Sequence, residues 1–131
     1  MSQPEKWKYE ADEVPKRKHA WNKSHAGFVI VRGVQVGKCP NGLSPSEAER
    51  LLNDGLSVSP KRWNKHYPWR IYVVHNGVLY RAKPTNPGVS YHAFPESARG
   101  FDWLPKDIRD QIFTHAQKLG QLKQVKTWVS A

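Results

Sequence analysis

The dipeptide Asn76-Gly77 constrains the fold of this 131-residue chain more than any other feature. Asn-Gly is the pair best suited to a two-residue type I′ turn, because both central residues of that turn need positive φ. It separates two runs rich in β-branched and aromatic residues, residues 70–75 and 78–83. The pattern therefore predicts a β-hairpin formed by these two runs.

A two-residue turn also fixes the hairpin register, and the register sorts the side chains onto two faces. One face is a mostly apolar set suited to a core: Ile71, Val73, His75, Val78, Tyr80 and Ala82. The other carries Arg70, Tyr72, Val74, Leu79, Arg81 and Lys83. Arg70 is then opposite Lys83, a like-charge pair that is unfavourable until an anion neutralises it. We therefore expect the second face to bind phosphate.

The next best-defined element is a helix over residues 45–54. Ser44 is a typical N-cap, Pro45 suits the first helical position, and Glu47 completes a capping box. Gly55 is expected to end this helix in a left-handed conformation.

The remaining segments predict a mixed fold. Residues 28–31 and 34–36 favour strands with a bulge or bend at Gly33, and residues 89–94 favour another strand after a turn at 85–88. Apolar residues spaced three and four apart predict helices over 105–119 and 121–129. Residues 56–69 are expected to form an ordered loop. The order of elements predicts an α+β fold, with an antiparallel sheet of about four to five strands covered on one face by helices.

Residues 1–20 mix both charges, contain two prolines and show no apolar period. We expect a flexible arm in which Trp7 and Tyr9 are the groups able to dock, followed by one domain over residues 21–131.

Several classes of protein are disfavoured. No apolar run is long enough to span a membrane, and the first residues lack the apolar stretch of a secretory signal, so a cytoplasmic protein is expected. The one cysteine, Cys39, can form neither an internal disulfide nor a cysteine-rich zinc site. The sequence predicts no metal and no cofactor, and it leaves the oligomeric state open.

The charge distribution is the leading indication of function. The net charge is +10, and no Asp or Glu occurs between Val14 and Ser46 or between Gly55 and Pro95. Each of these acid-free stretches holds six Lys or Arg residues. Such a surface favours polyanionic partners, nucleic acid above all.

Residues 61–70 interleave these cations with aromatic rings, and cations bind phosphates while exposed rings stack on unpaired bases. The sequence therefore predicts an interface for RNA or single-stranded DNA. We expect one of Trp63 and Trp69 to be buried and the other to stack on a base. The complete predicted interface is Lys61, Arg62, Trp63, Lys65, Trp69, Arg70, Tyr72, Arg81 and Lys83.

Two other functions remain open. A toxin-like, metal-independent ribonuclease could use His92 and His75 for proton transfer and Arg81 to stabilise the phosphorane, although the sequence favours a protein that is not an enzyme. Alternatively, the basic surface could complement an acidic protein partner.

Overall fold

The computed structural model describes residues 7–9, 27–31, 34–38 and 45–130. Within these ranges the elements in chain order are β1 (Lys8–Tyr9), β2 (Gly27–Val31), β3 (Val34–Lys38), α1 (Pro45–Asn53), β4 (Leu56–Val58), β5 (Arg70–His75), β6 (Val78–Asn86), β7 (Ser90–Pro95), α2 (Ala98–Asp102), α3 (Lys106–Lys118) and α4 (Leu122–Val129). Five strands form an open sheet in the order β1-β7-β6-β5-β4, and β2 pairs with β3 in a separate two-stranded sheet. Among the strands that the structure describes, the β1–β7 pair is parallel and the other pairs are antiparallel. The predicted α+β class with an antiparallel sheet is confirmed.

The predicted hairpin is confirmed in five residue pairs, from Ile71–Ala82 to His75–Val78. β5 and β6 pair with Tyr72 opposite Arg81 and Val73 opposite Tyr80. Asn76 has φ 51°, and Gly77 has φ 78°. These are the two left-handed residues that a type I′ turn needs.

The three predicted helices are also confirmed, with ends within one residue of the expected ones. α3 ends in a Schellman motif, in which the Gln121 amide donates to the Ala116 carbonyl at 2.9 Å and Gly120 donates to Gln117 at 3.0 Å. Gly120 supplies the required positive φ, 71°. The predicted N-cap of α1, Ser44, lies outside the described residues, as does Gly33 between β2 and β3.

Gly55 has a different role from the one its position predicts. It is not among the residues with positive φ. A Cβ at Gly55 would lie 2.8 Å from Ile71 Cγ2 and 2.9 Å from the Tyr72 carbonyl oxygen. Glycine is therefore needed for the close approach of the chain to β5. Directly after it, residues 56–58 pair with β5 as β4, where the sequence predicted the start of a loop. The strand was not predicted because three residues are too few to show a period.

The helices cover both faces of the large sheet, and not one face as expected. Leu52 of α1 lies in one buried cluster with Ile71. Ile112 of α3 and Val125 of α4 lie in a second cluster with Val74. Because alternate residues of β5 point to opposite sides, these clusters are on opposite faces, hereafter the α1 face and the α3 face. Val74 lies on the face that the sequence analysis expected to bind phosphate. Because this part of the face is apolar, it must be covered, and α3 and α4 cover it.

The only described part of the predicted N-terminal arm is docked on the domain. Lys8 and Tyr9 pair with Ser90 and Tyr91 of β7. Trp7 and Tyr9, the two residues named above as able to dock, pack against a buried cluster of the domain. The rest of residues 1–20 lies outside the described residues.

Candidate nucleic-acid interface

An open groove on the α3 face collects three arginines and two tryptophans. Its walls come from the start of β5, the middle of β6 and the short helix α2. The groove, called the arginine groove below, is lined by Trp69, Arg70, Arg81, Ser97, Arg99, Gly100, Trp103 and Leu104. Three of these residues, Trp69, Arg70 and Arg81, belong to the interface predicted from the sequence.

A buried carboxylate lies behind this groove. Glu96 follows β7 directly and its side chain is 1% exposed. The Tyr72 hydroxyl donates to Glu96 Oε2 at 3.1 Å, and the Ser97 amide donates to Oε1, also at 3.1 Å. Arg81 Nη1 lies 3.7 Å from Oε1, and Arg70 Nη1 donates to the Tyr72 hydroxyl oxygen at 3.1 Å. Glu96 therefore connects the two arginines: it contacts Arg81 directly and Arg70 through the Tyr72 hydroxyl.

The position of Tyr72 corrects the sequence-based interface. Tyr72 is fully buried, so its ring cannot stack on a base. Its place on the sheet face was predicted correctly, but the helices on that face cover it. Burial, followed by the Glu96 carboxylate, raises the pKa of the Tyr72 hydroxyl well above its usual range. Tyr72 thus remains protonated and serves as a hydrogen-bond donor to Glu96.

The groove carries more positive than negative charge. Arg70, Arg81 and Arg99 line it, and the Glu96 carboxylate lies behind it, next to Arg81. Burial lowers the pKa of Arg81; Glu96 opposes that shift, and the nearby positive charge of Arg70 adds to it. In addition, Arg81 Nε is buried without a hydrogen-bond partner among the described residues. An anion in the groove would therefore offset an existing repulsion between guanidinium groups.

Aromatic rings lie next to these cations. The Arg70 guanidinium lies 4.0 Å from the centre of the Trp69 ring, and that of Arg81 lies 4.5 Å from the Phe94 ring. Trp103 is 79% exposed, an uncommon state for so large an apolar side chain. Exposed beside cations, its indole offers a stacking surface for a base.

The loop that was expected to provide the stacking ring is held by its own contacts. Trp63 Nε1 donates to the Tyr67 carbonyl at 2.6 Å, and the two rings meet edge to face with centroids 5.6 Å apart. Both Trp63 and Trp69 are half-buried, so the expectation that one of them is buried is wrong. Lys61, Arg62 and Lys65 are exposed, but they do not line the groove.

The three residues proposed for ribonuclease chemistry do not meet in one site. Lys83 pairs with His92 next to the Arg81–Phe94 pair, so these side chains share the α3 face. His92 Nδ1 lies 2.7 Å from Thr85 Oγ1. His75, however, lines a cavity on the α1 face. The two histidines are separated by the same register that was predicted for the hairpin. In this register His75 points to the α1 face, whereas His92 points to the α3 face.

Glu96, Arg99 and Trp103 are the site residues that sequence reasoning missed. Glu96 is the first acid after the acid-free stretch from Gly55 to Pro95, which marks it as a counter-ion for the arginines. Phe101 and Leu104 have helical spacing and are both buried, and this pattern turns Trp103 outward.

Comparisons with protein-family models, curated proteins and solved structures find no match to this chain. No helix in the described ranges is long and apolar enough to cross a membrane. The side chains that the structure describes include no group of three or more His, Cys, Asp or Glu residues placed to hold a metal ion. Function must therefore be argued from the site itself.

Proposed function

We propose that the protein binds single-stranded nucleic acid, RNA or DNA, in the arginine groove. The observation that carries the proposal is the convergence of Arg70, Arg81 and Arg99 beside the exposed ring of Trp103. The guanidinium groups would bind consecutive phosphates, and Trp103 would stack on an unpaired base. The cytoplasmic setting expected from the sequence belongs to this proposal.

The buried carboxylate supports this role by limiting how the arginines can move. Arg70 is held by the Tyr72 hydroxyl and by the Trp69 ring, and Arg81 by Glu96 and Phe94. Side chains already ordered before binding lose less conformational entropy when the ligand arrives. Lys83, which shares the α3 face, would extend the phosphate path along β6.

A stacked base favours a single strand over a duplex. The faces of paired bases are already stacked inside a duplex, whereas those of unpaired bases are accessible. Catalysis is not part of the proposal, because His75 lies on the opposite face from Arg81 and His92.

Fluorescence anisotropy with labelled oligouridylate, oligothymidylate and a duplex of equal length, over a salt series, tests the proposal. Trp103→Ala should weaken single-strand binding about tenfold, since stacking on one base is worth about 1–3 kcal/mol, and leave the salt dependence unchanged. Arg99→Glu should weaken binding and reduce the slope of log affinity against log salt by about 1.

Lys123→Glu is the matched control, because it makes the same charge change on exposed α4 surface outside the groove. If it weakens binding as much as Arg99→Glu, net charge alone attracts the ligand and the groove is not the site. An acidic protein partner predicts a different result: polyglutamate binds as tightly as the oligonucleotides, and Trp103→Ala has no effect. Either result would contradict the proposal.

A further inference from the structure

A groove on the other side of the sheet holds a three-residue segment by main-chain hydrogen bonds and by the packing of two aromatic side chains. The segment is Trp7–Tyr9, and the groove lies between α1 and β7. The Asn53 side-chain amide binds both polar main-chain groups of Trp7: Oδ1 accepts from its amide and Nδ2 donates to its carbonyl, each at 2.8 Å. Because both hydrogen bonds go to the main chain, Asn53 can bind an extended backbone whatever side chain that residue carries.

Two more hydrogen bonds continue the same recognition. The Lys8 amide donates to the Val89 carbonyl at 3.0 Å, and the Tyr9 amide donates to Glu49 Oε1 at 3.0 Å. The segment adds to β7 as a short parallel strand at the edge of the sheet. Addition of an extended peptide to a sheet edge is a common mode of peptide recognition, in which main-chain bonds give affinity and side-chain pockets give selectivity.

The side-chain contacts define which peptides fit. Lys8 points away from the domain and is exposed, whereas Trp7 and Tyr9 pack against the buried cluster beneath α1. The Trp7 ring meets Tyr91 edge to face, with ring centroids 5.6 Å apart. The groove thus selects an aromatic residue, any residue, and a second aromatic residue.

The chain's own segment fills this groove incompletely. A small apolar cavity of about 30 Å³ remains beside Tyr9, bounded in part by Leu51, Leu52, Val73 and Tyr80. A two-residue strand bound through partly exposed hydrogen bonds is also the kind of element that opens locally at low free-energy cost. A competing segment could therefore displace it.

We propose that the groove between α1 and β7 is a peptide-binding site for an extended aromatic–x–aromatic segment of a partner protein. In this structure residues 7–9 occupy it in the partner's place. The site is on the α1 side of the molecule and is independent of the arginine groove. The cavity beside Tyr9 gives the site a preference for tryptophan as the second aromatic residue.

The test uses the full chain and a fluorescein-labelled peptide copied from residues 5–11, Glu-Lys-Trp-Lys-Tyr-Glu-Ala. Lys8→Pro removes the amide that binds Val89 and so releases the chain's own segment without altering α1 or β7. The peptide should then bind about tenfold more tightly than to the unaltered chain, since the fraction of empty grooves sets the apparent affinity. The same peptide with tryptophan in place of tyrosine should bind more tightly still.

Adding Asn53→Ala to the Lys8→Pro chain should weaken peptide binding about tenfold, because two hydrogen bonds to the ligand are lost. Asn64→Ala is the matched control, an exposed amide in the 61–67 loop, and should leave affinity unchanged. Equal affinity for the Lys8→Pro and unaltered chains, or no effect of Asn53→Ala, would overturn the proposal.

A second measurement needs no substitution. In the unaltered chain, saturating unlabelled peptide should accelerate hydrogen exchange at the Lys8 and Tyr9 amides, because their own hydrogen bonds are displaced. Unchanged exchange contradicts the proposal even if Lys8→Pro fails to fold. Concentration-dependent dimers that dissociate on Lys8→Pro would instead show that the occupant is a second copy of this chain, and would also overturn it.

Discussion

Glu96 is the residue on which the geometry of the arginine groove depends. Its carboxylate is almost completely buried, and it contacts the Tyr72 hydroxyl, the Ser97 amide and Arg81. Even the space around it is restricted, because a Cβ at Gly100 would collide with Glu96 Oε1. Buried charges are costly unless they are paired, so these contacts explain how the carboxylate can remain there.

Glu96→Gln should lower the free energy of unfolding by about 1–3 kcal/mol, because Arg81 loses its counter-ion and one hydrogen bond is weakened. Arg81 is 21% exposed, so water screens part of the lost attraction and a larger effect is not expected. Urea denaturation measures this change. Asp110→Asn is the control: it removes an exposed ion pair with Lys106 and should cost less than about 0.5 kcal/mol. Equal losses for the two variants would contradict the role of Glu96.

Two buried tyrosines predict how stability depends on alkaline pH. Burial is the main cause that raises the pKa of Tyr72, and the Glu96 carboxylate adds to it. Burial is also the main cause for Tyr91, and Tyr67 adds to it. Tyrosines in the unfolded chain ionise with their ordinary pKa of about 10. The native state therefore retains protons that the unfolded state loses, and this contribution is fully present below about pH 10 and lost as pH rises above it.

Urea denaturation at pH 9 to 11.5 should accordingly show stability falling above about pH 10, by up to about 1.4 kcal/mol per pH unit for each of the two tyrosines. Tyr72→Phe should remove the share of Tyr72 from this slope. A slope that is the same in both proteins would show that Tyr72 ionises as freely in the native state as in the unfolded chain.

At the scale of elements, the stability of the β5–β6 hairpin depends on the left-handed conformation of its turn residues. Asn76→Pro should destabilise the domain by about 3 kcal/mol or more, since proline fixes φ near −65° and the native φ is 51°. Asn76→Gly is the control at the same position, because glycine adopts positive φ at little cost. Thermal melting compares the two, and similar melting temperatures for both variants would refute the requirement for a left-handed residue.

The elements also show how far sequence patterns reach. The hairpin and the three longer helices could be predicted because their signals are local: Asn76-Gly77, Pro45 with Glu47, and apolar spacing along α3. β4 and α2 have three and five residues, too few to show a period. α2 nevertheless carries Arg99, and Trp103 follows it directly. The candidate site could therefore be predicted only for its residues on β5 and β6 and for Trp69 just before them.

At the scale of the whole molecule, the division of helices between two faces could not be read from any single element. Leu52 and Ile112 both belong to helices that the sequence pattern predicts, yet only packing decides that they lie on opposite sides of the sheet. Near Arg70, the hairpin has one polar face and one apolar face. Near Val74, both faces of the hairpin are apolar. Two helical layers are needed to cover the second region, and they leave the arginine groove open beside the first.

This arrangement predicts how core substitutions combine. Leu52→Ala should destabilise by about 2–5 kcal/mol and Ile112→Val by about 0.5–1.5 kcal/mol, because both side chains are fully buried. The sheet lies between them and they belong to separate clusters, so their effects should add within about 0.5 kcal/mol. Urea denaturation of the two single variants and the double variant measures the coupling. Helices sharing one face would bring the two side chains into a common core, and a coupling energy above about 1 kcal/mol would be the sign of that arrangement.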